Sequence, residues 1–170
     1  MLRELHRSHE IHFAALQRPE HGAESVERSA EYCSRSYPIP HFPPTARSAS
    51  FYVQAVQSAF SGMPLAVSRW RSGALRRLVK QLIDEQRFDH VVCDFLAAAP
   101  NIPGIERAVL FQHNVETMIW ERLRDTAGDP LRRLAFHYEA RRMLTYERSV
   151  CRTARHVVAV SEEDAGRIRF

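Results

Sequence analysis

The stretch Arg107-Ala-Val-Leu-Phe-Gln-His-Asn-Val-Glu-Thr117 limits the possible folds more than any other part of the chain. It starts as a short apolar run and stops at three polar residues, His113, Asn114 and Glu116. A helical pattern, Met118-Ile-Trp-Glu-Arg-Leu-Arg124, follows directly. The reading is a buried strand that delivers a polar cluster to its carboxyl end, at the mouth of a helix. In parallel α/β sheets, ligands bind outside the carboxyl ends of the strands. The free N–H groups of a helix start suit an anionic or hydroxyl-rich ligand.

The rest of the chain repeats this alternation. Glu10–Leu16 reads as a strand, Ala23–Glu31 as a short helix after a turn at Arg18–Gly22, and Cys33–Ile39 as a strand or extended segment. Pro38, Pro40, Pro43 and Pro44 are expected to end that segment, because proline fits neither a helix interior nor a central strand. Thr45–Phe60 regains helical spacing, closed by Ser61-Gly-Met-Pro64. Leu75, Leu78, Val79, Leu82 and Ile83 form an apolar helical stripe with Ser72 as N-cap. Strands at Phe88–Asp94 and His156–Val160 enclose the central stretch, and Pro130 opens a long helix reaching about Arg152. Ser161-Glu-Glu-Asp164 starts the last helix with an N-cap and three acids. Strands alternating with helices imply an α/β domain, residues 1–170, with a doubly wound, mostly parallel, Rossmann-like sheet. The first element reads as a helix tail with no strand before it, and the last helix has no finishing signal. The domain is therefore expected to be truncated at both ends.

Length and composition narrow the class. The 170 residues suffice for one domain with a real core, and 45% of them are hydrophobic. No segment has the length of a membrane span and no apolar leader opens the chain, so a cytoplasmic protein is expected. Lys80 is the only lysine among 24 basic residues, and the arginines are dispersed among 20 acids. A nucleic-acid surface clusters its charge. The net charge of +4 fits peripheral contact with an anionic membrane surface better. Cys33, Cys93 and Cys151 form no CxxC pair and read as reduced structural thiols. His6, His9 and His12 straddle a helix-to-strand junction, which points them apart, so no metal site is expected there.

Asp94, His113 and Ser161 stand at three strand ends, on one edge if the sheet is parallel. Asp94 also suits a cap on the turn after it, Ser161 suits an N-cap, and His113 suits a structural histidine beside an Asn114 cap. Histidine can equally donate, accept or exchange a proton near neutral pH. Glu147 lies on an apolar helical face, where a carboxylate must find a partner, either an arginine or loop backbone.

Phe111-Gln-His113-Asn-Val-Glu116, Trp120-Glu-Arg122, Tyr146-Glu147-Arg148 and Val157-Val-Ala-Val-Ser161-Glu-Glu-Asp164 together resemble the amino-terminal domain of glycosyltransferase family 4, in particular bacterial transferases that build cell-surface polysaccharides. Phe88–Asp94 fits the preceding family strand. The resemblance implies the amino-terminal, acceptor-side half of a GT-B fold. It implies a retaining sugar transfer from a nucleotide-sugar to a glycan or lipid-linked acceptor, without a metal or other cofactor. His113 then stands at the position of the family's cleft histidine, with Asn114, Glu116, Asp94 and Ser161 as candidate substrate contacts. The donor-gripping carboxylates belong to a carboxy-terminal domain. The competing expectation is a non-enzymatic Rossmann-like module that recognises a glycan or protein partner.

Overall fold

A computed structural model describes residues 2–18, 20, 26–45, 48–86 and 88–169. The fold is α/β, and every strand pair is parallel. The strands are β1 (His12–Gln17), β2 (Arg35–Pro40), β3 (Val91–Asp94), β4 (Ala108–Gln112) and β5 (His156–Ala159). The helices are α1 (Leu2–Leu5), α2 (Ala49–Ser61), α3 (Leu65–Ser68), α4 (Gly73–Glu85), α5 (Glu116–Thr126), α6 (Pro130–Thr153) and α7 (Glu162–Ile168). Short 3-10 turns at Leu96–Asn101 and Ile105–Arg107 link β3 to β4.

Local signals set most boundaries. Ser48, Ser72 and Ser161 cap α2, α4 and α7 by accepting the N–H of Phe51, Leu75 and Asp164, which satisfies a donor the helix cannot use internally. Asp129 does the same for α6 through the N–H of Leu131, with Pro130 in its first turn. Gly62 ends α2 at φ 70°, a left-handed position where glycine carries no Cβ clash. Of the expected helix at 23–31, residues 23–25 lie outside the described residues; Arg28–Glu31 form a 3-10 turn. Pro19, His21 and Gly22 of the expected turn also lie outside them.

Two expectations need correction. The anticipated single sheet is two sheets among the described residues, a β1–β2 pair and a β3–β4–β5 set, because no strand bonds β1 to β3. Pro38 also lies inside β2, although the strand does end at Pro40. The N–H groups of Arg35 and His41 donate to the carbonyls of Ile11 and Gln17. Odd-numbered residues of β2 thus turn their N–H toward β1, and both prolines fall on the alternate positions, where no donor is needed.

The core lies between β3–β4 and the α6 helix. Leu96, Leu110 and Met143 are fully buried at its centre, with Val67, Cys93 and Val150 around them. Burial pushes the Cys93 thiol up to about 12, helped by the charge of Asp94, and the Cys151 thiol up to about 11, helped by Glu147. His12 packs edge-on against Phe88 and bonds Glu10 and Tyr37, so its ring is committed to the fold. Among the described residues no cluster of three or more His, Cys, Asp or Glu is placed to hold a metal, and no helix is long and apolar enough to cross a membrane.

Candidate functional site

β4 carries the site because it is the middle strand of its sheet and its side chains alternate between two environments. Ala108, Leu110 and Gln112 point into the buried side. His113, one residue further, turns the other way and is half-exposed. The pairing sets Asp94 opposite Phe111 and Gln112 opposite Ala159. Asp94, His113 and Ser161 therefore do share the carboxyl edge.

Only two of them meet. His113 Nε2 lies 2.6 Å from Asp94 Oδ1, with the two side chains 34% and 41% exposed. A carboxylate accepts, so Nε2 is the ring nitrogen that donates to it. The cap proposed for Asp94 is replaced by this bond. Phe95 stacks on the imidazole at 4.1 Å and 22°, and Phe111 tilts against it at 4.8 Å. The ring is thus held by one hydrogen bond and two aromatic faces. Phe95 is the one described non-glycine residue with positive φ, at 77°, and its ring is nearly half exposed. That conformation is costly for a side chain with a Cβ, and strain of this kind concentrates at functional sites. The sequence reading missed Phe95 and Phe111; the aromatic immediately after Asp94 was the available signal.

The other face of the strand end holds a buried carboxylate. Glu147 of α6 is fully buried. Its Oε1 accepts from Gln112 Nε2 at 3.0 Å and from the Glu116 N–H at 2.8 Å. Its Oε2 accepts from the Thr117 N–H at 3.2 Å and from Thr117 Oγ1 at 2.6 Å. Glu147 therefore caps α5 from another helix. This corrects one expectation and decides between the two partners left open for Glu147. Asn114 is exposed and does not cap, the N-cap position being Val115 with no side-chain bond. The partners of Glu147 are backbone and amide donors rather than an arginine, because the free N–H groups of a helix start already supply positive potential.

Glu116 opens α5 beside this cap and is half-buried. Burial raises its carboxyl above the usual range, and the nearby charge of Glu147 adds to the rise. Ser161 spends its hydroxyl on Asp164, accepting its N–H at 3.1 Å and donating to its carboxylate at 2.7 Å. The site is thus the Asp94–His113 pair with its aromatic walls, Glu116 on the adjoining helix start, and Ser161 standing apart.

Two concavities lie elsewhere. One of about 310 Å³ sits beneath α7, between Cys151, Val157 and Ile168. The other, about 380 Å³, lies between the end of α5 and the start of α6. His113 lines neither. No family model, curated protein or solved structure matches the chain.

Proposed function

We propose that this chain is the acceptor-side domain of a retaining glycosyltransferase resembling family 4, with His113 as the residue that meets the transferred sugar. The observation that carries the reading is the Asp94–His113 pair at the carboxyl end of a central parallel strand, where α/β folds bind ligands. Asp94 fixes the tautomer and leaves Nδ1 free for a sugar hydroxyl, while Phe95 and Phe111 offer apolar faces of the kind that pack on a sugar ring. The strand arrangement is compatible with a doubly wound Rossmann-like sheet. Both sheets are parallel, with strand orders β1-β2 and β3-β4-β5 that follow the chain. The step from this geometry to sugar transfer rests on the sequence resemblance, since one fold hosts many chemistries.

In this reading His113 hydrogen-bonds hydroxyls near the reacting carbon, and a second domain holds the nucleotide. The test uses the full-length protein that carries this chain, a panel of nucleotide-sugars and lipid-linked acceptors, and labelled-sugar transfer as the readout. Bonds that tighten in the transition state set the scale. His113→Ala is expected to lower turnover about 100-fold or more, with donor affinity and melting temperature kept. Asp94→Asn is expected to lower it less. Glycan binding at the His113 edge without transfer of any sugar would support the binding-module reading instead. Near-normal turnover of His113→Ala would remove the histidine from the mechanism.

A further inference from the structure

The α5–α6 hairpin carries a surface that the fold does not need. α5 leaves the sheet at its carboxyl edge, and α6 returns to that edge at Glu147, which bonds the start of α5. From Leu131 to Glu147 is sixteen residues by the numbering, roughly 24 Å along the helix at 1.5 Å per residue. Between Leu131 and Tyr138 every residue except Phe136 is exposed. Phe136 packs inward on Trp120. Leu131, Leu134 and Tyr138 share the opposite, outward face at helical spacing and are 77%, 66% and 49% exposed. Exposed leucines at this spacing contribute nothing to the core and lower solubility.

Their surroundings are cationic. From Arg122 to Arg142 the chain holds six arginines against Asp125, Asp129 and Glu139. Arg142 and Glu139 pair with each other and turn inward, binding Ser58, Met63 and the Leu65 N–H. The remaining arginines are Arg122, Arg124, Arg132, Arg133 and Arg141, set against Glu121, Asp125 and Asp129. Arg124 gives its Nε to Asp125 at 2.8 Å, and Arg132 lies 4.0 Å from Asp129. The 380 Å³ concavity beside the leucines combines Arg124, Arg133 and His137 with Ala127, Pro130 and Leu134. Arginines and apolar side chains lining one concavity, next to exposed leucines, are complementary to a phosphate headgroup and its acyl chain.

We propose that the tip of the α5–α6 hairpin docks on a membrane surface bearing anionic lipids, with Leu131, Leu134 and Tyr138 entering the headgroup boundary and Arg124, Arg132, Arg133 and Arg141 meeting the phosphates. An amphipathic helix with arginines beside its apolar face binds in this manner, without crossing the bilayer. The surplus of cations around the exposed leucines is complementary to an anionic lipid surface, which is the occupant it favours. The inference stands independently of what His113 does.

The test is flotation of the chain with phosphatidylcholine vesicles and with vesicles containing roughly one third phosphatidylglycerol. Binding is expected only to the anionic vesicles and is expected to weaken as salt rises. Leu131→Ser with Leu134→Ser is expected to weaken it about tenfold or more at unchanged melting temperature. Arg132→Gln with Arg133→Gln is expected to weaken it by a similar order. Equal binding to both vesicle types, or anionic binding that both double variants leave intact, would overturn the proposal. So would a dimer that fails to bind vesicles and that the leucine variants dissociate, since the face would then belong to a second copy.

Discussion

Replacing Glu147 by glutamine changes one atom in a fully buried site, and the structure sets the size of the effect. The carboxylate accepts four hydrogen bonds, two at each oxygen. Glutamine keeps one oxygen and turns an NH2 group toward donors. If the amide nitrogen takes the Oε2 position, the Thr117 hydroxyl can rotate to accept from it, but the Thr117 N–H loses its partner. If it takes the Oε1 position, the Gln112 amide can flip, and the Glu116 N–H is orphaned. Either way one backbone donor at the start of α5 is buried without an acceptor, and a charge-assisted bond becomes neutral. An orphaned buried donor costs about 1–3 kcal/mol, and the weakened bonds add roughly 1 kcal/mol. Relief of the repulsion on Glu116 returns part of this. The net loss is about 2–3 kcal/mol, which for a domain of this size lowers the melting temperature by roughly 5–10 °C. Thermal unfolding followed by circular dichroism measures the shift. Hydrogen exchange is expected to show the loss of protection concentrated at Glu116–Met118. A melting temperature within about 1 °C of wild type would refute the capping argument.

Two further predictions follow from neighbouring groups. Glu116 has a folded pKa above its ordinary value, so the native state holds its proton more tightly than the unfolded chain. Its contribution to stability is therefore full below the ordinary carboxylate range and is lost as pH rises through the raised value. Glu116→Gln is expected to raise the melting temperature at pH 7 and to leave it unchanged near pH 4; a lower melting temperature at pH 7 would contradict the assignment. Phe95 pays for its φ of 77° with strain that glycine does not feel. Phe95→Gly and Phe95→Ala both remove the ring over His113, yet the glycine variant is expected to be more stable by about 1 kcal/mol in denaturant unfolding; equal stabilities would show the backbone to be unstrained.

The periodic elements were legible because each is locally determined. Ser72, Ser161, Gly62 and Pro130 mark their helix ends by chemistry confined to one turn. The meeting of Asp94 with His113 was half legible. Strand ends placed both on one edge, but the bond between them depends on the β3–β4 register, which no local pattern encodes. The cap on α5 was not legible at all. Its acceptor comes from Glu147, thirty residues away on another helix, so the nearest polar residue, Asn114, was the natural and mistaken choice. The proline positions in β2 failed for a related reason. Proline is excluded only where its N–H faces a partner strand, and the facing positions are fixed by tertiary pairing.

The strand period of two explains how one strand end carries both a buried carboxylate network and an open-side histidine pair. Gln112 and His113 are adjacent, so they must face opposite sides of the sheet. Gln112 enters the buried side and joins Glu147, which ties α5 to the strand that precedes it. His113 enters the open side and joins Asp94. The first set of bonds holds the backbone of residues 112–117 in place from beneath, and the second orients the imidazole from above. A positioned imidazole needs both, because a ring fixed to a mobile strand end is no better placed than a mobile ring on a fixed one. Loss of Glu147 is therefore expected to reach His113 only through the backbone, slackening the whole edge, while loss of Asp94 frees the ring and leaves the helix start intact. The two faces are separable in energy even though a single peptide bond joins them.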